Sequence, residues 1–446
     1  MVRVELLETT HRFQMRPLKI CHIVATTEGA TWMVEQLRQL RNRYGFEVFA
    51  VISSGPGRLA DKLRAENINF YSRDFNFNKI EDLFLLPKKI LSLIRLFRRE
   101  RFDIIQTHVF RSVIIGRIAV WLADVPERIS MITSPAYLEG EIPRFIDLAT
   151  YWMDNKVIAS CQYTQALYKS FGVKDKCISL IYYGIDSDKF DPATTNPVPI
   201  REEFGCTPDT PLIVMVAYFY PRFAPSRRIP PKLWGRAIKG QEYLIRAMPR
   251  ILEEFPKTKC LLVGSGWKEE GEQYLREMQI LANSLNLEEK VIFTGFRSDI
   301  NNILRSADVS LQPSLSENLG GTIESLLMEC PTVASRVGGV TDTIIDGETG
   351  ILVEPANVED LAEGILKLLR NPEWARSLGK NGRRYMLERF TLNKTVDDLN
   401  NLYQEVADAK KNRRGYRMYV SFWRMLIAMP WLAYLTLRLI IFDKLR

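Results

Sequence analysis

Short, almost uninterrupted apolar runs, each followed by a glycine-bearing loop and an amphipathic stretch, recur in two rounds along this 446-residue chain. Ile20 to Val24 precedes a loop with Gly29 and a helical pattern around Met33 to Leu40. Phe46 to Ile52 ends at Gly55-Pro56-Gly57, and Asp103 to His108 is a third run. Strands apolar on both faces and separated by helices call for a parallel sheet covered on both sides. The pattern restarts at Leu212 to Ala217 and continues through Cys260 to Val263, Val291 to Phe296 and Ala307 to Leu311. Between them, residues 221–238, rich in proline and arginine, read as a long loop before a helix that begins near Gln241. With 46% hydrophobic residues, the chain can fill two cores of roughly 200 residues each. The expected fold is α/β, with two Rossmann-like domains.

Composition removes several function classes. The six cysteines include no C-x-x-C pair, which argues against a zinc ribbon or disulfide framework and suits a reducing cytoplasm. Three histidines, His11, His22 and His108, make a His-rich metal site improbable. The opening MVRVELLETTHRFQMRP lacks an apolar core of signal-peptide length. From residue 410 onward lie nine basic residues and one acid, a surplus equal to the whole chain's net charge of +8. A basic excess confined to one aromatic-rich tail favours an anionic membrane surface over nucleic acid.

Residues 314–350, SLSENLGGTIESLLMECPTVASRVGGVTDTIIDGETG, carry the strongest functional signal. Glu317 and Glu324 bracket Gly320-Gly321, which runs into the apolar helical segment Ile323 to Met328. Glycines ahead of a helix can leave several N–H groups facing one anion, and neighbouring glutamates can accept from sugar hydroxyls. The same features also describe a tight turn whose glutamates complement a helix dipole. Gly264-Ser265-Gly266 lacks the third glycine of a dinucleotide fingerprint and says little alone. Asp186-Ser187-Asp188 imitates a metal-binding D-x-D but reads as a turn.

The stretch resembles the donor-binding signature of the retaining GT-B glycosyltransferases of the family 4 type. The likeness continues through Pro331-Thr332-Val333-Ala334, Gly338-Gly339, Asp346-Gly347 and Thr349-Gly350, and extends over about residues 17–409. One departure is the glutamate spacing: six residues separate Glu317 from Glu324, where the family has seven. The resemblance implies a nucleotide-diphosphate-sugar donor as substrate, no cofactor, no metal, and a lipid-linked or glycan acceptor. It implies that the N–H groups of Leu319, Gly320, Gly321 and Thr322 hold the distal phosphate with Lys239 and an arginine. The long loop leaves Arg222 as first choice and Arg236 as rival. Glu324 would accept from the ribose, Glu317 would contact the transferred sugar, and the base would lie against Phe296 near Gly264. Gly29 and His108 would face the acceptor, although His108 reads equally well as a structural histidine. Ile132-Thr133-Ser134-Pro135 has no histidine where many relatives carry one before glycine.

The implied division is an extension at 1–16, an acceptor-binding domain at 17–197, a nucleotide-sugar domain at 198–390, a crossover helix at 391–409 returning to the first domain, and a tail at 410–446. In that tail only 13 uncharged residues separate Arg424 from Arg438, and Pro430 interrupts them. This is too short for a typical span of ~20 residues. Arg417, Arg424 and Arg438 differ by multiples of seven and share a helix stripe opposite Trp, Leu, Ile and Phe, as in a helix lying in the membrane interface. Packing of that helix on the first domain is the alternative. Pro87 to Arg101 is a second basic amphipathic segment, expected to pack on its sheet. The predicted activity is transfer of a sugar with retention of configuration, at the cytoplasmic face of a membrane. A nucleotide-sugar epimerase and a non-catalytic glycan-binding module are the competing readings.

Overall fold

The computed structural model describes residues 16–75, 80–195 and 200–411. The basic, aromatic stretch at 412–446 and nearly all of the amino-terminal extension lie outside the described residues.

Seven parallel strands form the first sheet: β1 Lys19–Val24, β2 Glu47–Ser53, β3 Asn69–Arg73, β4 Ile104–His108, β5 Glu127–Ile132, β6 Lys156–Ala159 and β7 Ile178–Leu180. Their order is β3-β2-β1-β4-β5-β6-β7. Six more form the second: β8 Leu212–Val216, β9 Lys259–Val263, β10 Val291–Gly295, β11 Val309–Gln312, β12 Thr332–Ser335 and β13 Ile351–Val353. Their order is β10-β9-β8-β11-β12-β13. Strand order reverses between β1 and β4 and again between β8 and β11, the two places where doubly wound sheets open a crevice beyond their carboxyl ends. The expected pair of Rossmann-like domains is present, joined as in a GT-B fold. Central strands such as β1 and β8 are buried almost end to end, which is why they read as continuous apolar runs.

The last described helix, Leu392–Lys411, returns to the first domain. Leu392, Val396, Leu399, Tyr403 and Val406 are buried against Met33, Val34, Leu37 and Leu40 of the helix Thr31–Tyr44. Their spacing of three and four places one apolar stripe along the helix. Tyr403 adds a polar anchor. Its hydroxyl donates to Gln106 Oε1 at 2.6 Å and accepts from His22 Nε2 at 2.8 Å. That tautomer leaves His22 Nδ1 to accept from His108 Nε2, 3.1 Å away. Burial pushes the His22 imidazole pKa down to about 3 and holds His108 well below its usual value, so both rings are neutral.

The proline- and arginine-rich segment 221–238 is a strap between the domains. Its ends pair across Phe223 and Trp234, Leu233 is fully buried, and its middle docks on the first domain. Ile142 N–H donates to Arg227 O at 3.2 Å, Arg227 pairs with Glu141 at 2.8 Å, and Lys232 pairs with Glu139 at 2.6 Å. The receiving helix, Glu141–Thr150, is held from below by buried Arg117, which reaches Asp147 at 2.9 Å and Asp154 at 2.7 Å. Elsewhere along the interface Gln162 N–H donates to Asp342 at 2.6 Å and Ser160 Oγ to Asn318 at 3.0 Å.

Tyr403→Phe keeps the ring and removes the buried hydroxyl, leaving Gln106 and His22 short of a partner. Such a loss costs about 1–3 kcal/mol. The urea midpoint of the first domain's unfolding transition, followed by circular dichroism, is expected to fall accordingly. An unchanged midpoint would show that the anchor contributes nothing.

Candidate donor site at the sheet ends

Lys239 is placed by backbone packing. Gly240 is left-handed (φ +79°), and a Cβ there would stand 2.0 Å from the Pro313 carbonyl, so the chain crosses hard against the loop that follows β11. Leu315 N–H donates to Ile238 O at 2.8 Å and fixes the crossing. The Lys239 ammonium is thereby set beside Glu317, with which it forms a short ion pair. Ser314 Oγ donates to the same carboxylate at 3.2 Å, and Asn318 N–H reaches its other oxygen at 3.1 Å. Burial works against the Lys239 charge, but Glu317, with Tyr220 and Glu324, outweighs it and raises the pKa. Lys239 is therefore a fixed cation.

Glu324 is placed differently. The helix Thr322–Leu327 buries Ile323, Leu326 and Leu327 in the core, and Ser325 bonds Ser310 of β11 at 2.7 Å. This turns Glu324 toward the interdomain side. Its Oε2 is buried without a hydrogen-bond partner. Burial, with Glu317 adding repulsion, raises the carboxyl pKa to about 7 against the pull of its own backbone N–H and of Lys239. Just ahead, Gly320 has φ +63°. Among the described residues, no backbone carbonyl takes up the N–H groups of Gly320 or Gly321.

These groups line one cavity of about 630 Å³, within the size range of small-molecule sites. Gly320, Gly321, Glu324 and Lys239 form one side, Gly264, Phe296 and Tyr218 another, and Thr31 and Arg58 of the first domain approach from across the interface. The cavity opens at the carboxyl ends of β8 and β9, beside the switch point of the second sheet. Phe296 is 56% exposed, with the Arg58 guanidinium 5.2 Å from its ring centroid. Among the described residues, no group of three or more His, Cys, Asp or Glu is placed to hold a metal ion. Asp186 accepts from Asp188 N–H at 3.1 Å, so the D-x-D imitation is a turn.

Several expected residues stand elsewhere. Arg222 does not line the cavity: its guanidinium pairs with Glu242 at 2.7 Å and Glu277 at 3.3 Å and lies over the Tyr274 ring. The strap begins at that point and carries the arginine away toward the helices Gln241–Glu254 and Lys268–Ser284. Arg236, exposed, does not line the cavity either. His108 is fully buried under Trp32, ring centroids 5.0 Å apart, so it is a core histidine with no face toward an acceptor. Gly29 is left-handed (φ +64°) with open space around it and turns the chain into the helix at Thr31. Leu319 and Thr322 are buried, and Thr322 Oγ1 bonds Thr343 Oγ1 at 2.8 Å, so of the expected nest only Gly320 and Gly321 border the cavity. Arg58, Tyr218 and Tyr220 were not anticipated. Arg58 follows Gly55-Pro56-Gly57 at the end of β2, and the tyrosines follow β8, so the strand-end rule could have found all three.

Two parallel sheets facing a shared cavity, with a glycine-led helix start, a lysine and a glutamate on one wall and a second glutamate pairing the lysine from behind, define a GT-B glycosyltransferase architecture. Residues 28–189 match the family model for Glycosyltransferase Family 4, and residues 235–385 match that for Glycosyl transferases group 1. The chain belongs to the GT-B glycosyltransferases of the family 4 type. The UDP-Gal:alpha-D-GlcNAc-diphosphoundecaprenol alpha-1,3-galactosyltransferase of Escherichia coli is 25% identical over 371 residues, 79% of this chain and 87% of that protein. N-acetyl-alpha-D-glucosaminyl L-malate synthase of Bacillus anthracis is 24% identical over 388 residues, 84% and 93% of the two chains. The Anabaena protein HepE, solved in complex with UDP, superposes with a TM-score of 0.72 at 19% identity, over 87% of this chain and all of that one. It shows the shared fold.

The buried carboxyl gives a direct prediction. Infrared difference spectra between the protein and Glu324→Gln are expected to contain one protonated carboxyl that ionises near pH 7. A carboxyl already ionised at pH 5 would contradict the assigned environment.

Proposed function

We propose that this protein transfers a sugar from a nucleotide-diphosphate donor to a lipid-linked or glycan acceptor, with retention of anomeric configuration and without a metal ion. The observation that carries the reading is the convergence of Lys239, Gly320, Gly321 and Glu324 on one cavity. Transfer leaves charge on the departing diphosphate, and preorganised donors and cations stabilise it with little reorganisation. Lys239, held charged by Glu317, and the two glycine N–H groups suit the distal phosphate. Glu324 suits the ribose: an ionised carboxylate with a free oxygen accepts two hydroxyl hydrogens. The exposed Phe296 ring suits the base. Retention follows if the acceptor attacks the donor's front face and the leaving phosphate takes its proton. The Escherichia coli relative is named for a UDP-galactose donor and a diphosphoundecaprenol-linked acceptor, which supports that substrate class.

A membrane-side location fits such an acceptor. Among the described residues, no helix is long and apolar enough to cross a membrane. The helix Ile80–Glu100 buries Ile90, Leu93, Ile94, Leu96 and Phe97 on the sheet, as its pattern predicts. Its other face exposes Phe84, Leu85 and Leu91 together with Lys88, Arg95 and Arg98. Apolar and basic side chains on one exposed helix face suit an anionic interface, and we infer that this face joins the basic tail there.

Lys239→Ala and Glu324→Ala are expected to lower turnover by ~10²–10³ while the protein stays folded. The active diphosphate is first chosen by thermal shift among uridine, guanosine and adenosine diphosphates. Wild-type turnover in both variants would contradict the assignment, and release of nucleotide without an acceptor product would favour the epimerase. Product NMR should show the donor's anomeric configuration, with activity undiminished by a chelator. Binding should also be pH-linked. The ribose contact needs ionised Glu324, so affinity is expected to fall as pH drops below about 7, with proton release in calorimetry that Glu324→Gln lacks. For the membrane, flotation with anionic vesicles is expected for the full chain and lost in a chain ending at residue 409. Retention by the shorter chain would refute the tail's part.

A further inference from the structure

With Arg222 tied to Glu242 and Glu277, the expected second cation for the diphosphate is missing from its place. Besides Lys239, the cavity is lined by three cations: Lys189, Arg297 and Arg58. Arg297 is committed to two carboxylates, Glu203 at 2.5 Å and Asp299 at 2.7 Å. Lys189, its ammonium 5.7 Å from the Phe190 ring, acts on Glu324, whose carboxyl pKa it draws down, and so stands on the ribose side of the cavity. Arg58 comes from the other domain and pairs with a single, exposed carboxylate, Glu28.

Its backbone, by contrast, is fixed. Arg58 is the first residue of the helix Arg58–Ala65. A Cβ on the preceding Gly57 would stand 2.3 Å from Thr27 O, and Leu59 N–H donates to that same carbonyl at 3.0 Å. The helix start is clamped to the loop after β1, so the side chain is launched across the cleft. There its Nη2 donates to the Tyr218 hydroxyl at 2.9 Å, its Nε to Glu28 Oε2 at 3.0 Å, and its guanidinium stands 5.2 Å from the Phe296 ring centroid. Tyr218 is itself anchored, accepting from Gln241 at its carbonyl (3.1 Å) and packing edge-on against Trp267. Arg58 is thus a first-domain side chain resting on second-domain groups at the donor cavity.

We propose that Arg58, reaching across from the first domain, supplies the second cation for the donor's diphosphate. The proposal rests on the donor-site reading above. A guanidinium presents paired N–H donors that match phosphate oxygens. Its present partners are one neutral phenol and one exposed carboxylate, and exposed ion pairs of that kind are weak. A base stacking on Phe296 would displace the guanidinium from that ring, and the diphosphate is then the strongest acceptor within the same cavity.

The test titrates the active nucleoside diphosphate and the matching monophosphate against the full chain and single variants. Arg58→Ala is expected to weaken the diphosphate by about tenfold or more, as for loss of a charge-assisted pair, and to leave the monophosphate nearly unchanged. Arg58→Lys should recover part of the loss, and Arg222→Ala should bind as the parent does. Wild-type diphosphate affinity in Arg58→Ala, beside a weakened Lys239→Ala, would overturn the role of Arg58 while leaving the donor site standing. Equal loss of both nucleotides would overturn it in favour of a base contact. If neither Arg58→Ala nor Lys239→Ala weakens binding, the donor-site reading fails as well.

Discussion

The close crossing of two loops, Gly240 against the Pro313 carbonyl, is the constraint on which the site depends. It brings Lys239 within reach of Glu317, and that pair sets the electrostatics of the wall. Glu317 spends both carboxylate oxygens on Lys239, Ser314 and the Asn318 N–H, so it holds the lysine charged. Glu324, seven residues on, keeps an oxygen with no partner. Two glutamates of one motif thus have separate electrostatic characters. One is a counter-ion engaged within the protein, the other a carboxyl kept near neutrality by burial.

Much of this was legible beforehand. Continuous apolar strands required parallel sheets, because strands buried on both faces have no polar side to alternate. Gly320, Gly321, Glu324, Lys239, Gly264 and Phe296 were all named from sequence, and the fold brings them to one cavity. The misses have physical reasons. Arg222 was chosen by its distance in sequence from β8, but the strap redirects the chain and two carboxylates capture the guanidinium. His108 was placed correctly at a strand end, yet Trp32 and the crossover helix cover it. Leu319 and Thr322 belong to the buried face of the turn. Arg58 stands at a strand end and could have been named by that rule, but its contact with Tyr218 depends on how the two domains meet, which no local pattern records.

The strap ties that interdomain geometry to the chemistry. It leaves the second sheet just beyond Tyr220, docks on the first domain through Arg227 and Lys232, and returns to Lys239. A shift of one domain against the other therefore pulls on the segment that carries Lys239. Glu139, which receives Lys232 and also the Tyr163 hydroxyl, sits five residues beyond Ser134, in the stretch that carries no family histidine.

The most direct measurement is a structure of the protein with the nucleoside diphosphate it binds. The account predicts the distal phosphate at the Gly320 and Gly321 N–H groups beside Lys239, with both ribose hydroxyls on Glu324 and the base on Phe296. A nucleotide bound elsewhere, with Glu324 still lacking a partner and the glycine N–H groups turned from the ligand, would contradict it.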